Sequence, residues 1–296
     1  MENQIRQKEG RTMILMSNNQ WKCDHNNDTW RAMGEDCSAE CRSIGLARAY
    51  QEIVPDILGL QEVSMRMTDL VLAQLRSFET EAGEKVHYDL ITGGDTPILY
   101  RDDKLLLIES GFFRYSEEFP GHEGCYNNDG TKSYAWGVFE EKATGKKIAL
   151  MSTHLWWKSN DPSVWHYQPY SDEAREYQMR IAAARMEEIM EKYGCPGVIM
   201  GDLNAVMNSL CLKAAYELGW KEAHDVTEGE CDQTRGHHPC GPEGFVRNEP
   251  GTFDQAIDHI LIRNAEGMKV RSYLRLTHEW YDKVSDHYPV YIDVEL

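Results

Sequence analysis

Residues 197–204 read GVIMGDLN, a short apolar run closed by Gly201 and followed by Asp202 and Asn204. An apolar run of this length between turn residues reads as a buried strand. It delivers an acid and an amide to the point where the strand meets solvent. Upstream, Ser171 to Lys192 is the clearest helix in the chain. Ser171 can cap its start, Asp172 and Glu173 suit the positive end of its dipole, and Tyr177, Ile181 and Ala184 recur on one face. Gly194 and Pro196 end it. Further upstream, Tyr134–Glu140 and Lys147–Thr153 read as two strands joined by a turn at Thr144-Gly145. Downstream come a helix over Ser209–Leu218, an irregular stretch from Glu222 to Gly251, and strands over Ile257–Ile262, Val270–Leu276 and Tyr288–Val294.

The N-terminal half repeats this grammar. Thr12–Ser17 (TMILMS) and Asp56–Val63 (DILGLQEV) read as buried strands. Between them Glu40–Glu52 reads as a helix with Ile44 and Ala47 facing inward. Met67–Leu75 is a second helix, and Ile98–Tyr100 and Leu105–Glu109 are further strands. Hairpin signals mixed with a few helices indicate two packed sheets with outer helices, an α/β (α+β) arrangement, and not a Rossmann-type alternation. No internal repeat, low-complexity tract or Pro/Ser-rich linker interrupts the chain. One domain over residues 12–296 is therefore expected, after a polar tail at residues 1–11.

With 296 residues, 41% hydrophobic and 27% charged, the chain has the balance of a folded globular protein. Its formal net charge of -18 repels a polyanion at long range and disfavours a nucleic acid partner. A phosphate substrate stays compatible, because a divalent metal supplies positive charge locally. Met1 to Arg11 contains no apolar run and no segment is long enough to span a membrane, so a cytoplasmic location, reduced cysteines and a monomer are expected.

Polar groups recur just past apolar runs: Asn18 after MILMS, Glu62 in LQEV, His154 in STHL, Asp202 and Asn204 in GDLN, Asp258 in IDHI, and Asp286 with His287 in SDHYPV. Strand ends are where a rigid scaffold meets solvent and where functional groups collect. Hard carboxylate and amide oxygens suit Mg²⁺ or Mn²⁺, with Glu62 and Asp286 as direct ligands. If GDLN stays extended, Asp202 and Asn204 share one face. Asp202 can then take a proton from water while Asn204 orients that water or a phosphate oxygen. Asp258 can fix the tautomer of His287, whose imidazolium would stabilise charge developing on a phosphoryl group. His154 can act from the opposite side, although no carboxylate partner for it is visible in the sequence.

Taken in order, NNQW, LQEV, STHL, GDLN, IDHI and SDHYPV resemble the endonuclease/exonuclease/phosphatase superfamily over nearly the whole chain, about Met13 to Val294. The resemblance implies the DNase I-like fold, a four-layer sandwich of two mixed sheets flanked by helices. It implies a metal-binding Glu62 assisted by Asn18, a His154 that hydrogen-bonds the scissile phosphate, and an Asp202 that activates water with Asn204 beside it. It also implies an Asp258 that orients His287, an acidic Asp286 that ligates metal, and in-line attack on phosphorus. The tract ILYRDDKLLLIESGFF looks like a bacterial subgroup of hydrolases whose substrates the resemblance does not define.

The chain departs from that pattern at His259, where an aromatic is frequent, and at Trp156 and Trp157, where nucleases often carry polar or basic groups. With Trp165, His166 and Tyr167 these form an aromatic cluster that reads equally as substrate platform or loop packing. Tyr100 and Arg101 read equally as phosphate contacts or as a strand-end aromatic and a surface arginine. Cys231, His237, His238 and Cys240 match no standard zinc spacing, and a loop is favoured. The expected function is a metal-dependent hydrolase of a compact phosphate ester or phosphodiester. A Mg-dependent nuclease, a lipid phosphodiesterase and, ranked low, a catalytically inactive binding module are the alternatives.

Overall fold

The alternation along β1 (Met13–Asn19) sets the layering, because neighbouring side chains of a strand face opposite ways. Leu15 enters the core between two sheets, and Met16 enters a separate core beneath helices. The computed structural model describes residues 12–22, 32, 34–115, 121–122, 132–238, 240–241, 244–245, 251–263 and 267–296. The expected tail at residues 1–11 lies outside them.

β1 runs parallel to β2 (Ile57–Gln61), and the crossover between them carries helix α1 (Ala39–Ile53). The Ser38 hydroxyl caps α1 by accepting from the Cys41 amide at 3.3 Å, and Val54 in the left-handed region closes it. Ile44 is 63% exposed, so the inward face of α1 is carried by Leu46, Ala47 and Tyr50 and not by Ile44. Helix α2 (Met65–Leu75) packs beside α1 on the same core. A short hairpin of β3 (Phe78–Glu79) and β4 (Lys85–Val86) follows. Strands β5 (Tyr88–Ile91) and β6 (Ile98–Arg101) then extend the sheet antiparallel to β2.

The second half is built the same way. β7 (Leu105–Arg114) and β8 (Ser133–Glu141) form a long hairpin that continues into β9 (Lys147–His154). Helix α3 (Ser171–Tyr193) crosses over to β10 (Gly197–Asp202), which lies parallel to β9. The start of α3 differs from expectation. Tyr170, with φ 62°, occupies the cap position, and the Ser171 hydroxyl donates to the Gln168 carbonyl at 2.7 Å. Its buried face runs through Ala174, Gln178, Met179, Ala182, Met186 and Ile189, one step round from the face of Tyr177, Ile181 and Ala184. Helix α4 (Leu210–Glu217) and strand β11 (Lys221–Glu222) come next, then the pair β12 (Cys240–Gly241) and β13 (Gly244–Phe245). β14 (Asp258–Arg263), β15 (Lys269–Arg275) and β16 (Val290–Glu295) end the chain.

The two six-stranded sheets have the orders β15-β16-β1-β2-β6-β5 and β11-β14-β10-β9-β8-β7. One apolar core lies between them. A second lies under α1 and α2, and a third under α3 and α4. Helices, sheet, sheet and helices make the four-layer DNase I-like architecture. Both central parallel pairs end at the same edge. β1 and β2 finish at Asn19 and Gln61, while β9 and β10 finish together at the matched pair His154 and Asp202. Close approach of β9 and β10 requires Gly201, since a Cβ there would fall 1.8 Å from the Thr153 carbonyl oxygen.

Candidate active site

That shared edge gathers most of the chemistry read from the sequence. Asp202 is buried, and its Oδ2 accepts from the Asn19 side-chain amide at 2.9 Å. His154 Nε2 lies 3.5 Å from the same oxygen and His287 Nε2 lies 4.0 Å from it. Glu62 follows β2 in the left-handed region, φ 55°, and this bend turns its carboxylate to within 3.8 Å of His154 Nε2. Its other oxygen accepts from the Lys22 amide at 3.1 Å. Ligand atoms of Glu62, His154 and Asp202 all lie within 4.8 Å of one another, close enough to share one cation.

Asp258 and His287 form the expected pair, with Nδ1 to Oδ2 at 2.7 Å. Burial disfavours the imidazolium, yet the carboxylates of Asp258, Asp286 and Asp202 outweigh it and hold His287 well above its ordinary pKa. Burial raises Asp258, and His287 more than offsets that and lowers it. Asp286 is pushed up to about 7 by burial, with Glu62 and Asp202 adding repulsion against the pull of His287. Its Oδ1 is buried without a hydrogen-bond partner. For Glu62 burial also raises the pKa, but His154 and Lys132 prevail and bring it down to about 2. Crowded carboxylates and an unsatisfied buried oxygen are what a hard divalent cation relieves, so the donor set fits one.

His154 does have a carboxylate partner. Asp95 Oδ2 lies 3.2 Å from Nδ1, and Asp95 Oδ1 is fixed by the Ser133 hydroxyl at 2.7 Å. The Lys132 ammonium sits against both ring nitrogens of His154.

Asn18 is not the asparagine of the site. Its Oδ1 accepts from the hydroxyls of Tyr50 at 2.6 Å and Tyr281 at 2.9 Å, in the core under the helices. The period of β1 turns Asn18 away from the site and Asn19 toward it. Asn204 does not share an extended face with Asp202. With φ 49° it turns back, its amide donates to Asp202 Oδ1 at 2.9 Å, and its side chain donates to the Leu155 carbonyl at 3.2 Å.

Tyr100 and Arg101 lie at the wrong end of the sandwich. β6 runs antiparallel to β2 with Ile57 opposite Tyr100, which puts them beside the start of β2. Arg101 is buried and donates to Asp103 at 3.0 Å and Glu84 at 2.9 Å. A cavity of about 330 Å³ opens at that far end, lined by Asp56, Asp103 and Lys104, and contains none of the site residues. Trp156 is buried too, its indole donating to Gln168 at 2.9 Å, so it supports the loop and offers no substrate surface. Trp157, by contrast, lines a cavity of about 190 Å³ with Lys22, Glu62, Asp95, Lys132 and His154.

Asp95, Lys132, Asn19 and His237 belong to the site without having been assigned to it from sequence. Asp95 and Lys132 each sit just before a strand that runs antiparallel to one ending at the site, so strand pairing was the signal that would have found them. His237 forms a β-bridge with His287, their rings 5.9 Å apart. Burial, reinforced by His287, lowers His237 to about 4. The zinc alternative for this loop involves Cys240, whose side chain lies outside the described residues. Cys231 is a free thiol that contacts the His224 carbonyl at 3.6 Å.

The fold is an α/β architecture of the DNase I type, with this cluster of polar groups at one edge. A model of the Endonuclease/Exonuclease/phosphatase family matches residues 29–287, and the chain belongs to that family. It is similar in structure to an endonuclease/exonuclease/phosphatase from Bacteroides vulgatus, with TM-score 0.73, 21% identity, and 97% of this chain and 99% of that one covered. A mannosyl-6-phosphatase from Bacteroides thetaiotaomicron superposes with TM-score 0.67 at 21% identity, covering 96% of this chain and 100% of that one. TDP2 from D. rerio, complexed with a single-strand DNA product, gives TM-score 0.62 at 16% identity over 96% of this chain and 99% of that one. Among curated proteins, sequence comparison finds no match. No helix among the described residues is long and apolar enough to cross a membrane.

Proposed function

We propose that this chain is a divalent-metal-dependent phosphoesterase that hydrolyses a compact phosphate ester by in-line attack of water. The observation that carries the reading is the convergence of Asn19, His154 and His287 on Asp202 Oδ2, beside the Glu62 carboxylate. Asp202 is the base that takes the proton of the attacking water. Asn19 and the amide of Asn204 hold its two oxygens, so the carboxylate keeps one orientation. His287, kept protonated by Asp258, donates toward charge that builds on the phosphoryl oxygens. Asp95 sets the tautomer of His154, and Lys132 adds a cation on that side.

Glu62 and Asp286, the latter with its unsatisfied Oδ1, would hold Mg²⁺ or Mn²⁺. When bound, that ion neutralises negative charge on the non-bridging and leaving oxygens. The net charge of -18 favours a compact substrate over a polymeric anion, and the similarity to a sugar phosphatase points the same way. The test is hydrolysis of phosphomonoesters, followed by phosphate release, and of phosphodiesters, single-stranded DNA and phospholipid vesicles, followed by the monoester and alcohol products, each with Mg²⁺, Mn²⁺ and chelator. Turnover of small esters that stops in chelator is expected. Turnover indifferent to chelator overturns the metal reading, and preferred cleavage of DNA or vesicles overturns the compact-substrate reading.

A further inference from the structure

The loop after β9 carries an indole surface that the hydrolytic chemistry does not use. Trp157 forms a wall of the cavity next to His154 and Lys132. Trp165 lies against it with ring centres 5.6 Å apart, and His166 packs at 5.8 Å from Trp157 and 5.0 Å from Trp165. Trp165 is nonetheless 86% exposed. With Trp157 beside it, this indole makes a paired aromatic surface at the mouth of a polar pocket, the kind of apolar patch rimmed by polar groups that marks a binding site.

The backbone that bears Trp157 is anchored. The Trp156 amide donates to Gln178 Oε1 at 2.7 Å, and its indole donates to Gln168 Oε1 at 2.9 Å. Arg175 of α3 donates to the carbonyls of Trp156 at 3.0 Å and Lys158 at 2.6 Å. Helix α3 therefore fixes the backbone on both sides of Trp157, and the indole is presented ready for binding.

We propose that Trp157 and Trp165 form a stacking platform for the non-phosphate part of the substrate, and that this part is a ring: a pyranose or a nucleobase joined to the phosphoryl group through a short linker. The inference rests on the phosphoesterase reading of the adjoining site. Continuity decides the occupant. The wall that bears Trp157 is shared with Glu62, His154 and Lys132, so a phosphate held there carries its organic part onto the indoles. The high exposure of Trp165 offers stacking without enclosure. That suits a flat rigid face, which loses little rotamer freedom on binding.

The experiment compares kcat/KM for a hexose 6-phosphate, a nucleoside 5′-monophosphate and acyclic glycerol phosphate in Mg²⁺, using the full chain and its Trp157→Ala and Trp165→Ala variants. The wild type is expected to prefer at least one ring ester over glycerol phosphate, and each variant to lower that ratio by about 5- to 150-fold, chiefly through KM. Preference for the hexose identifies a carbohydrate, and preference for the nucleotide a nucleobase. Quenching of indole fluorescence by the same ring phosphates, lost in Trp165→Ala, reads the platform without turnover. A chain that binds ring phosphates but hydrolyses none would sink the phosphoesterase reading and leave the platform standing. No ring preference together with no quenching, or an unchanged ratio in both variants, overturns the platform.

Discussion

The side-chain amide of Asn19 donates to Asp202 at 2.9 Å across 183 residues of sequence, joining the ends of β1 and β10. It ties the inner edge of one sheet to that of the other and fixes the carboxylate on which the hydrolytic reading depends. Asn18, its neighbour, does unrelated work beneath the helices, and substitution separates the two. Asn19→Ala is expected to lower kcat by about 10- to 100-fold in a protein that still folds. Asn18→Ala leaves two buried tyrosine hydroxyls without their acceptor and is expected to cost about 1–3 kcal/mol of stability. Denaturation midpoints and kcat for both variants check this, and the reverse pattern would restore Asn18 to the site.

The Asp95–His154 contact makes a second prediction. Asp95→Asn keeps the shape of the pair but offers Nδ1 a group that can donate as well as accept, so the ring tautomer is no longer fixed. A fall in kcat of about 10²- to 10⁴-fold is expected. Rates on the favoured ester, with circular dichroism to verify folding, provide the measurement. Wild-type rates would show that the histidine needs no such partner.

How far the sequence was legible follows from which signals are local. GVIMGDLN and the neighbouring strands and helices carry their own periodicity, so two packed sheets with outer helices could be read without coordinates, while the four-layer architecture came from the family resemblance. Glu62, His154, Asp202, Asp258 and His287, which stand directly after or within apolar runs, could be singled out as candidates, and the structure gathers them at one edge. Asn18 was a one-residue error of facing in an NN pair, which composition does not resolve. Asn204 was misplaced because a left-handed turn ends the extended stretch at once. Tyr100 and Arg101 were assigned to the wrong end because their direction is set by antiparallel pairing with β2, a long-range fact. The same long-range pairing delivers Asp95 and Lys132. The face of α3 was read one step round from the one that is buried, which mixes Ala174, Ala182 and Ala183 with Met179, Met186 and Ile189.

His259, the departure from the usual aromatic, is fully buried and presents Nδ1 to Glu222 at 2.9 Å and Nε2 to the carbonyls of Ala205 at 2.9 Å and Ala256 at 3.0 Å. Every neighbour is an acceptor, so the ring is satisfied only with both protons. Burial opposes that charge, but Glu222 prevails and raises the pKa. A raised folded-state value means the contribution is complete below the unfolded value of about 6.5 and fades as pH climbs through the folded value. Urea midpoints between pH 6 and 9 are expected to show the advantage of wild type over a doubly neutral His259→Gln, Glu222→Gln protein shrinking as pH rises. A gap that widens with pH would contradict an imidazolium at this position.

Gly201 sits in the crowded contact between β9 and β10. Gly201→Ala would drive a methyl group against the Thr153 carbonyl, forcing apart the two strands that end in His154 and Asp202. Loss of at least about 3 kcal/mol, or failure to accumulate as folded protein, is the expected outcome, read by thermal melting. A melting temperature within a degree of wild type would mean the strands lie farther apart than described.

The most direct test of the account removes only the base. Asp202→Asn keeps size while abolishing the carboxylate that takes the proton of the attacking water, although its amide nitrogen then faces one of the two donors, Asn19 or the Asn204 amide, that the carboxylate accepts from. Initial rates of phosphate release by wild type and variant, in Mg²⁺ on the best small ester and with circular dichroism to verify folding, are expected to differ by about 10³-fold or more. Comparable rates from the two proteins would contradict a hydrolytic centre at the junction of Asn19, His154, Asp202 and His287.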